Sequence, residues 1–211
     1  AAIPGPDAFP AMKPGLPSFA FPVEILTDDR LAVSLAPERV AAIRRDLETL
    51  DGSGAIDYVV PWDGASEVRP GSVDLLFSQA VLEHVEDVEG VHRATRAWIR
   101  PGGMVSHQID FKSHGTAPGW DGYRAYSDWQ WRIVRGNRSY LINRVPDAGH
   151  LDALERNGFE VVTRIPAHLE PTVPPGRYAP RFRALSDESR RTAGLFVQAR
   201  VPGHRSGPSG A

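Results

Sequence analysis

The sequence predicts an α/β fold, and three observations carry that expectation. Short apolar runs such as VDLLF (73–77) and GLFVQARV (194–201) alternate with segments whose apolar residues recur at helical spacing. VDLLF reads as a continuous apolar run, as expected of a strand covered on both faces. Helix-starting and helix-stopping residues bracket the periodic segments between the strands. Together they predict a mainly parallel sheet with helices between its strands. No internal repeat is present.

Taken in order, residues 1–22 carry six prolines. Proline fixes φ and lacks the amide donor, so this segment is expected to be extended and irregular. Thr27 can cap a short helix that has Asp28 and Asp29 in its first turn. Pro37 stands where a second helix should start, and Val40, Ile43, Leu47 and Leu50 follow at helical spacing. DYVV (57–60) reads as a strand, as does 73–77. Residues 86–99 read as a helix ended by Pro101, Gly102 and Gly103, and MVSHQIDF (104–111) as the next strand. Ser127 can cap the helix DWQWRIVR, with Gly136 at its end. Asp147 can cap AGHLDALERN, with Gly158 at its stop. FEVVTRI (159–165) and residues 194–201 close the chain as strands.

Bulk properties narrow the function. The chain has 211 residues, and a formal net charge of −2 gives no electrostatic case for nucleic acid or an anionic membrane. Cysteine is absent, which removes disulfides and thiolate metal sites and fits a reducing, cytoplasmic setting. No apolar run approaches the roughly 18 residues a membrane span needs. The N-terminus, Ala1-Ala2, carries no basic region followed by an apolar core, so no signal peptide is read there.

One stretch is more specific. SVDLLFSQAVLEHV, followed by RATRAWIRPGGMV, resembles the second half of the class I S-adenosylmethionine-dependent methyltransferases, in their type 11 pattern. The pattern is a strand ending in Asp and two apolar residues, then Leu-Glu-His, a helix, Arg-Pro-Gly-Gly and a strand. NGFEVV (157–162) is similar to that family's sixth strand. The similarity covers roughly residues 56–111 and 147–165. It implies a Rossmann-like sheet, S-adenosylmethionine as cofactor and a small-molecule acceptor. Residues 112–146 stand outside the pattern as a helical insertion after the fifth strand, where such enzymes often build substrate pockets. On this reading residues 1–26 are an irregular segment, 27–201 a partial methyltransferase-like domain and 202–211 a disordered tail.

The departure from the family is equally informative. Its first strand leads into a glycine-rich turn that lets the backbone approach the cofactor, and its second ends in a carboxylate for the ribose. Residues 1–50 contain no strand–glycine–helix unit, and Gly52 and Gly54 follow a helix and precede a strand, the wrong order. The family strand order is 3-2-1-4-5-7-6, so the sheet is expected to lack its first two strands. A longer natural chain, a partner chain or the N-terminal segment would then complete it, and the first is favoured. A methyltransferase-like binding or scaffold protein is the rival reading.

The resemblance also assigns residues. Trp62 and Asp63, after the family's third strand, fall near the cofactor's adenine. Ser78, Gln79 and Ala80 end the fourth strand, where ligands gather in open α/β sheets, and are expected to line the cleft through backbone contacts. His84 sits just past that cleft with Glu83, and an imidazole suits proton removal near neutral pH. Asp110 and His114 end the fifth strand and are acceptor-site candidates. The H-x2-D-x3-H spacing of His107, Asp110 and His114 invites a metal or hydrolase reading, but strand alternation puts His107 and Asp110 on opposite faces, so no metal is assigned. The insertion's tryptophans, tyrosines and arginines suit either a pocket for a sugar, phosphate or planar acceptor or the core of a small helical cap.

Overall fold

A computed structural model describes residues 23–49, 54–59 and 68–203. The proline-rich stretch 1–22, Leu50, Val60, Trp62, Asp63 and the tail 204–211 lie outside the described residues. The chain divides into two compact units, 1–67 and 68–211.

In the first unit, Thr27 Oγ1 accepts from the Arg30 N–H at 3.4 Å and starts α1 (Asp28–Ser34). Pro37 opens α2 (Pro37–Thr49), as a residue with no amide hydrogen can at a first turn. Asp46 accepts from the Ala55 N–H at 2.8 Å and ties the returning chain to α2. Gly54 leaves room for this contact, since a Cβ there would stand 2.4 Å from the Asp46 carboxyl carbon and push that side chain aside. The strand expected at 57–60 is not formed over 57–59. Among the described residues it has no ladder partner, and a strand exists only through a partner's hydrogen bonds.

The second unit is a four-stranded sheet of β1 (Val73–Gln79), β2 (Ile99–Asp110), β3 (Glu160–His168) and β4 (Thr192–Arg200) in the order β1-β2-β4-β3. In it β4 lies between β2 and β3, as the seventh strand lies between the fifth and sixth in the order that the resemblance implies. The sheet is mixed, not mainly parallel. β1 and β2 are parallel, joined by α3 (Val88–Trp98), while β4 runs antiparallel to both β2 and β3. The cause is the β3–β4 connection. It makes no helical crossover back to the starting edge, as parallel pairing requires, but ends in the short α6 (Asp187–Arg191) and returns reversed.

α3 begins at Val88 with Asp87 as its cap and hands over directly to β2. Pro101, Gly102 and Gly103, expected as a helix stop, are instead the first part of that strand. Gly103 permits a close approach there, since an added Cβ would meet the Asp74 carbonyl at 3.0 Å. α5 (Asp147–Arg156) starts one residue earlier than expected. Its cap is Pro146, and the buried Asp147 accepts from Arg164 at 3.4 Å instead.

One face of the sheet carries the core. Val105, Ile109, Leu195 and Val197 are fully buried with Leu154 of α5 and Phe159, and Val91 of α3 packs against them. Each such side chain stabilises by about 1.5–3 kcal/mol. On the other face, alternation leaves Leu75 and Phe77 exposed.

A second core lies in the cap. Tyr123, Trp131, Leu141 and Ile142 of the insertion pack with Tyr178 and Phe182. The cap therefore also recruits the segment before β4. α4 (Asp128–Arg135) has a full capping box, with Ser127 and Gln130 satisfying each other's backbone amides, and ends at Gly136. Buried Asp121 accepts from the Thr172 amide (3.0 Å) and hydroxyl and from the Tyr178 hydroxyl (3.4 Å). Buried Arg124 donates to the Arg190 and Thr192 carbonyls at 2.7 and 3.4 Å, fastening the cap to the start of β4.

Candidate active site

β1 and β2 run parallel, so their carboxyl ends open on the same edge of the sheet, where open α/β sheets place ligands. Ser78 and Gln79 end β1. Ala80 follows in a left-handed conformation (φ 52°), its amide held by the Gln108 carbonyl at 2.9 Å. His114, four residues past the end of β2, is also left-handed (φ 46°). Such conformations cost non-glycine residues of order 1–3 kcal/mol and persist only where the surroundings enforce them.

The chain then turns through the short 3-10 segment Leu82–His84. Leu82 anchors it in the main core. Asn143, sixty residues on, holds it from the other side. Its amide nitrogen donates to the Leu82 and Val85 carbonyls, both at 2.7 Å, and its backbone N–H donates to the Glu83 carbonyl at 2.7 Å. Nothing local in the sequence singles out Asn143 for this role.

His84 stacks on His114, ring centroids 5.2 Å apart and planes 28° apart. The Asp110 carboxylate lies 3.4 Å from His114 Nε2 and accepts from Lys112 Nζ at 2.8 Å. The fold thus brings His84, Asp110 and His114 together. Burial raises the Asp110 pKa, but hydrogen bonds from the Lys112 side chain and backbone, with its charge, pull the net value below the ordinary range. Glu83 is the reverse case. It is 2% exposed, and burial pushes its pKa up against the opposing pull of nearby backbone amides and of His84.

Alternation separates His107 from this group. It points into the core, where its Nδ1 lies 2.8 Å from Ser78 Oγ. Ser78 therefore faces the edge with backbone only. Among the described residues no group of three or more histidine, aspartate or glutamate side chains is placed to hold a metal ion.

For S-adenosylmethionine, the described residues fit one wall of a site: the Ser78–Ala80 turn at the carboxyl end of β1. No glycine-rich turn after a strand is found among them to hold the methionine part, and Trp62 and Asp63 lie outside them.

Residues 24–106 match the family described as "Methyltransferase domain". The match starts earlier than the stretch read from the sequence and takes in α1 and α2. The ubiquinone biosynthesis O-methyltransferase of Xanthomonas campestris pv. campestris is 40% identical over 76 residues, 35% of this chain and 30% of that protein. The protein of the same name from Cupriavidus pinatubonensis is 36% identical over 61 residues, 28% of this chain and 24% of its own. The matched stretch is thus under a third of either relative's length. A solved S-adenosylmethionine-dependent methyltransferase from Mesorhizobium loti aligns at 19% identity and a TM-score of 0.47, covering 79% of this chain and 77% of its own. The chain resembles the type 11 S-adenosylmethionine-dependent methyltransferases, and its fold is α/β.

Proposed function

We propose that this chain forms part of an S-adenosylmethionine-dependent methyltransferase acting on a small molecule. The observation that carries this is the convergence of His84, His114 and Asp110 at the carboxyl ends of β1 and β2, within a stretch matching the methyltransferase family. S-adenosylmethionine would supply an electrophilic methyl group on sulfur. Ser78, Gln79 and Ala80 would line one wall by backbone contacts. His84, stacked on His114, would take a proton from an acceptor hydroxyl through its imidazole. Asp110 would orient His114 for the same task. Rate enhancement would come mainly from holding donor and acceptor in line. An upstream segment or a partner chain would complete the sheet beside β1. A cytoplasmic setting belongs to the same reading and rests on the absence of cysteine.

One observation favours the rival, a methyltransferase-like binding or scaffold protein. Both elements described over residues 23–49 are helices, so no strand–glycine–helix cradle is found there. Calorimetric titration of S-adenosylmethionine and its demethylated product separates the two. Saturable binding, weakened in Asp63→Ala, is the outcome expected for the enzyme. A folded sample that binds neither would reject cofactor binding by this chain alone.

A further inference from the structure

A cavity of about 390 Å³ opens between α4 and the segment 141–144, separate from the turn proposed for the cofactor. Four arginines line it, Arg132, Arg135, Arg144 and Arg181, against two carboxylates, Glu86 and Asp128. The charges do not balance. Arg135 is paired with Glu86. Arg144 and Arg181 share one oxygen of Asp128, at 2.7 and 3.0 Å. Arg132 has no partner among the described residues.

Arg144 is the centre of this arrangement. It is 3% exposed, its backbone is left-handed (φ 65°), and its guanidinium lies 4.8 Å from the Trp131 ring centre. One terminal nitrogen donates to the Tyr126 carbonyl at 2.9 Å, and the other to Asp128. The buried Nε–H has no partner. A buried, unsatisfied donor on a cation is costly, as is strained backbone on a large side chain. Both are concentrated on one residue facing a cavity with excess positive charge.

We propose that this cavity binds an oxyanion, a carboxylate or phosphate carried on a small organic molecule. Arg132 and Arg181 supply exposed positive charge at the mouth, Arg144 the buried charge, and Trp131, Leu141 and Ile142 an apolar wall. Consistent with this, burial and then the charge of Arg181 lower the Arg144 pKa to about 10, so a bound anion would relieve the local field. Asn143 lines the cavity and also holds the Leu82–His84 turn, so the oxyanion would be the acceptor's anionic end. That last link rests on the methyltransferase reading, whereas oxyanion binding itself does not.

The test is calorimetric titration of the full chain with benzoate and with inorganic phosphate, without S-adenosylmethionine, while following the Trp131 indole N–H by NMR. Arg144 is buried and its removal risks the cap, so the variants are Arg132→Gln and Arg181→Gln, each checked for an unchanged Tm. Saturable binding that shifts Trp131 and weakens about tenfold or more in each variant is expected, from the loss of one charge-assisted hydrogen bond. Response to benzoate alone assigns a carboxylate, and response to phosphate alone a phosphoryl group. Absence of saturable binding for both probes, or binding unchanged in both variants, overturns the proposal. Because no cofactor is present, this failure is distinct from failure of the methyltransferase reading.

Discussion

At the scale of single residues, Asn143 shows how one side chain can set the geometry of a site it does not belong to. Its amide satisfies two carbonyls of the Leu82–Val85 turn, and its own oxygen accepts from the Val145 N–H at 2.8 Å. Replacing it with alanine strands the carbonyls it served, which costs about 1–3 kcal/mol for a buried polar group. Asn143→Ala is expected to lower the urea midpoint accordingly and to broaden the NMR signals of His84, whose stacking on His114 depends on that turn. A normal midpoint with unchanged His84 signals would count against this role. The histidine and aspartate in the turn region were legible as polar residues at strand ends. Asn143 was not, because its partners lie about sixty residues away in sequence.

Among the elements, local signals held where local physics decides. Thr27, Pro37 and Ser127 start helices as read, since a cap acts on amides only two or three residues away. Asp147 looked equally suited and does not cap, because Arg164 of β3 engages its carboxylate in the interior. β1 is informative in another way. It pairs only with β2 among the described residues, and Phe77 on its outer face is 77% exposed. An apolar strand with a free edge is a template for association. Phe77→Lys is therefore expected to change unfolding free energy by no more than about 0.5 kcal/mol, as for other exposed positions, while reducing light scattering at high protein concentration. If scattering is unchanged, the β1 face is not what associates.

Across the whole molecule, three histidines from three elements meet in the core. His92 of α3, His107 of β2 and His150 of α5 are all buried, and His92 and His107 lie 5.7 Å apart between ring centres. Burial lowers their pKa values to about 4, 3 and 3. Mutual repulsion adds to this at His107 and His150, and Glu89 opposes it at His92. The folded protein keeps these rings neutral while the unfolded chain protonates them near 6.5. Below that pH the unfolded state binds more protons, so stability falls as pH drops from about 6.5 towards 4. Each histidine contributes up to about 1.4 kcal/mol per pH unit in that window. Glu83, with its raised pKa, acts in the opposite sense, losing stability as pH rises above its unfolded value. One carboxylate offsets only part of three histidines. Urea midpoints at pH 7.5, 6 and 5 are expected to fall steeply with acid. A flat profile would mean that the rings are not held neutral.

The sequence by itself determined the α/β class, the positions of the four strands of the sheet, the helix starts governed by Thr27, Pro37 and Ser127, and the resemblance to the methyltransferases. These follow from periodicity, capping and motif order, all of which act over a few residues. Only the tertiary structure decided that β4 runs antiparallel to both of its neighbours, that His84 meets His114, and that Arg132, Arg144 and Arg181 share one cavity. It also decided that the cap draws in Tyr178 and Phe182. Each depends on contacts between residues some ten to ninety positions apart, set by how the chain returns and what it must bury, and no local pattern encodes that.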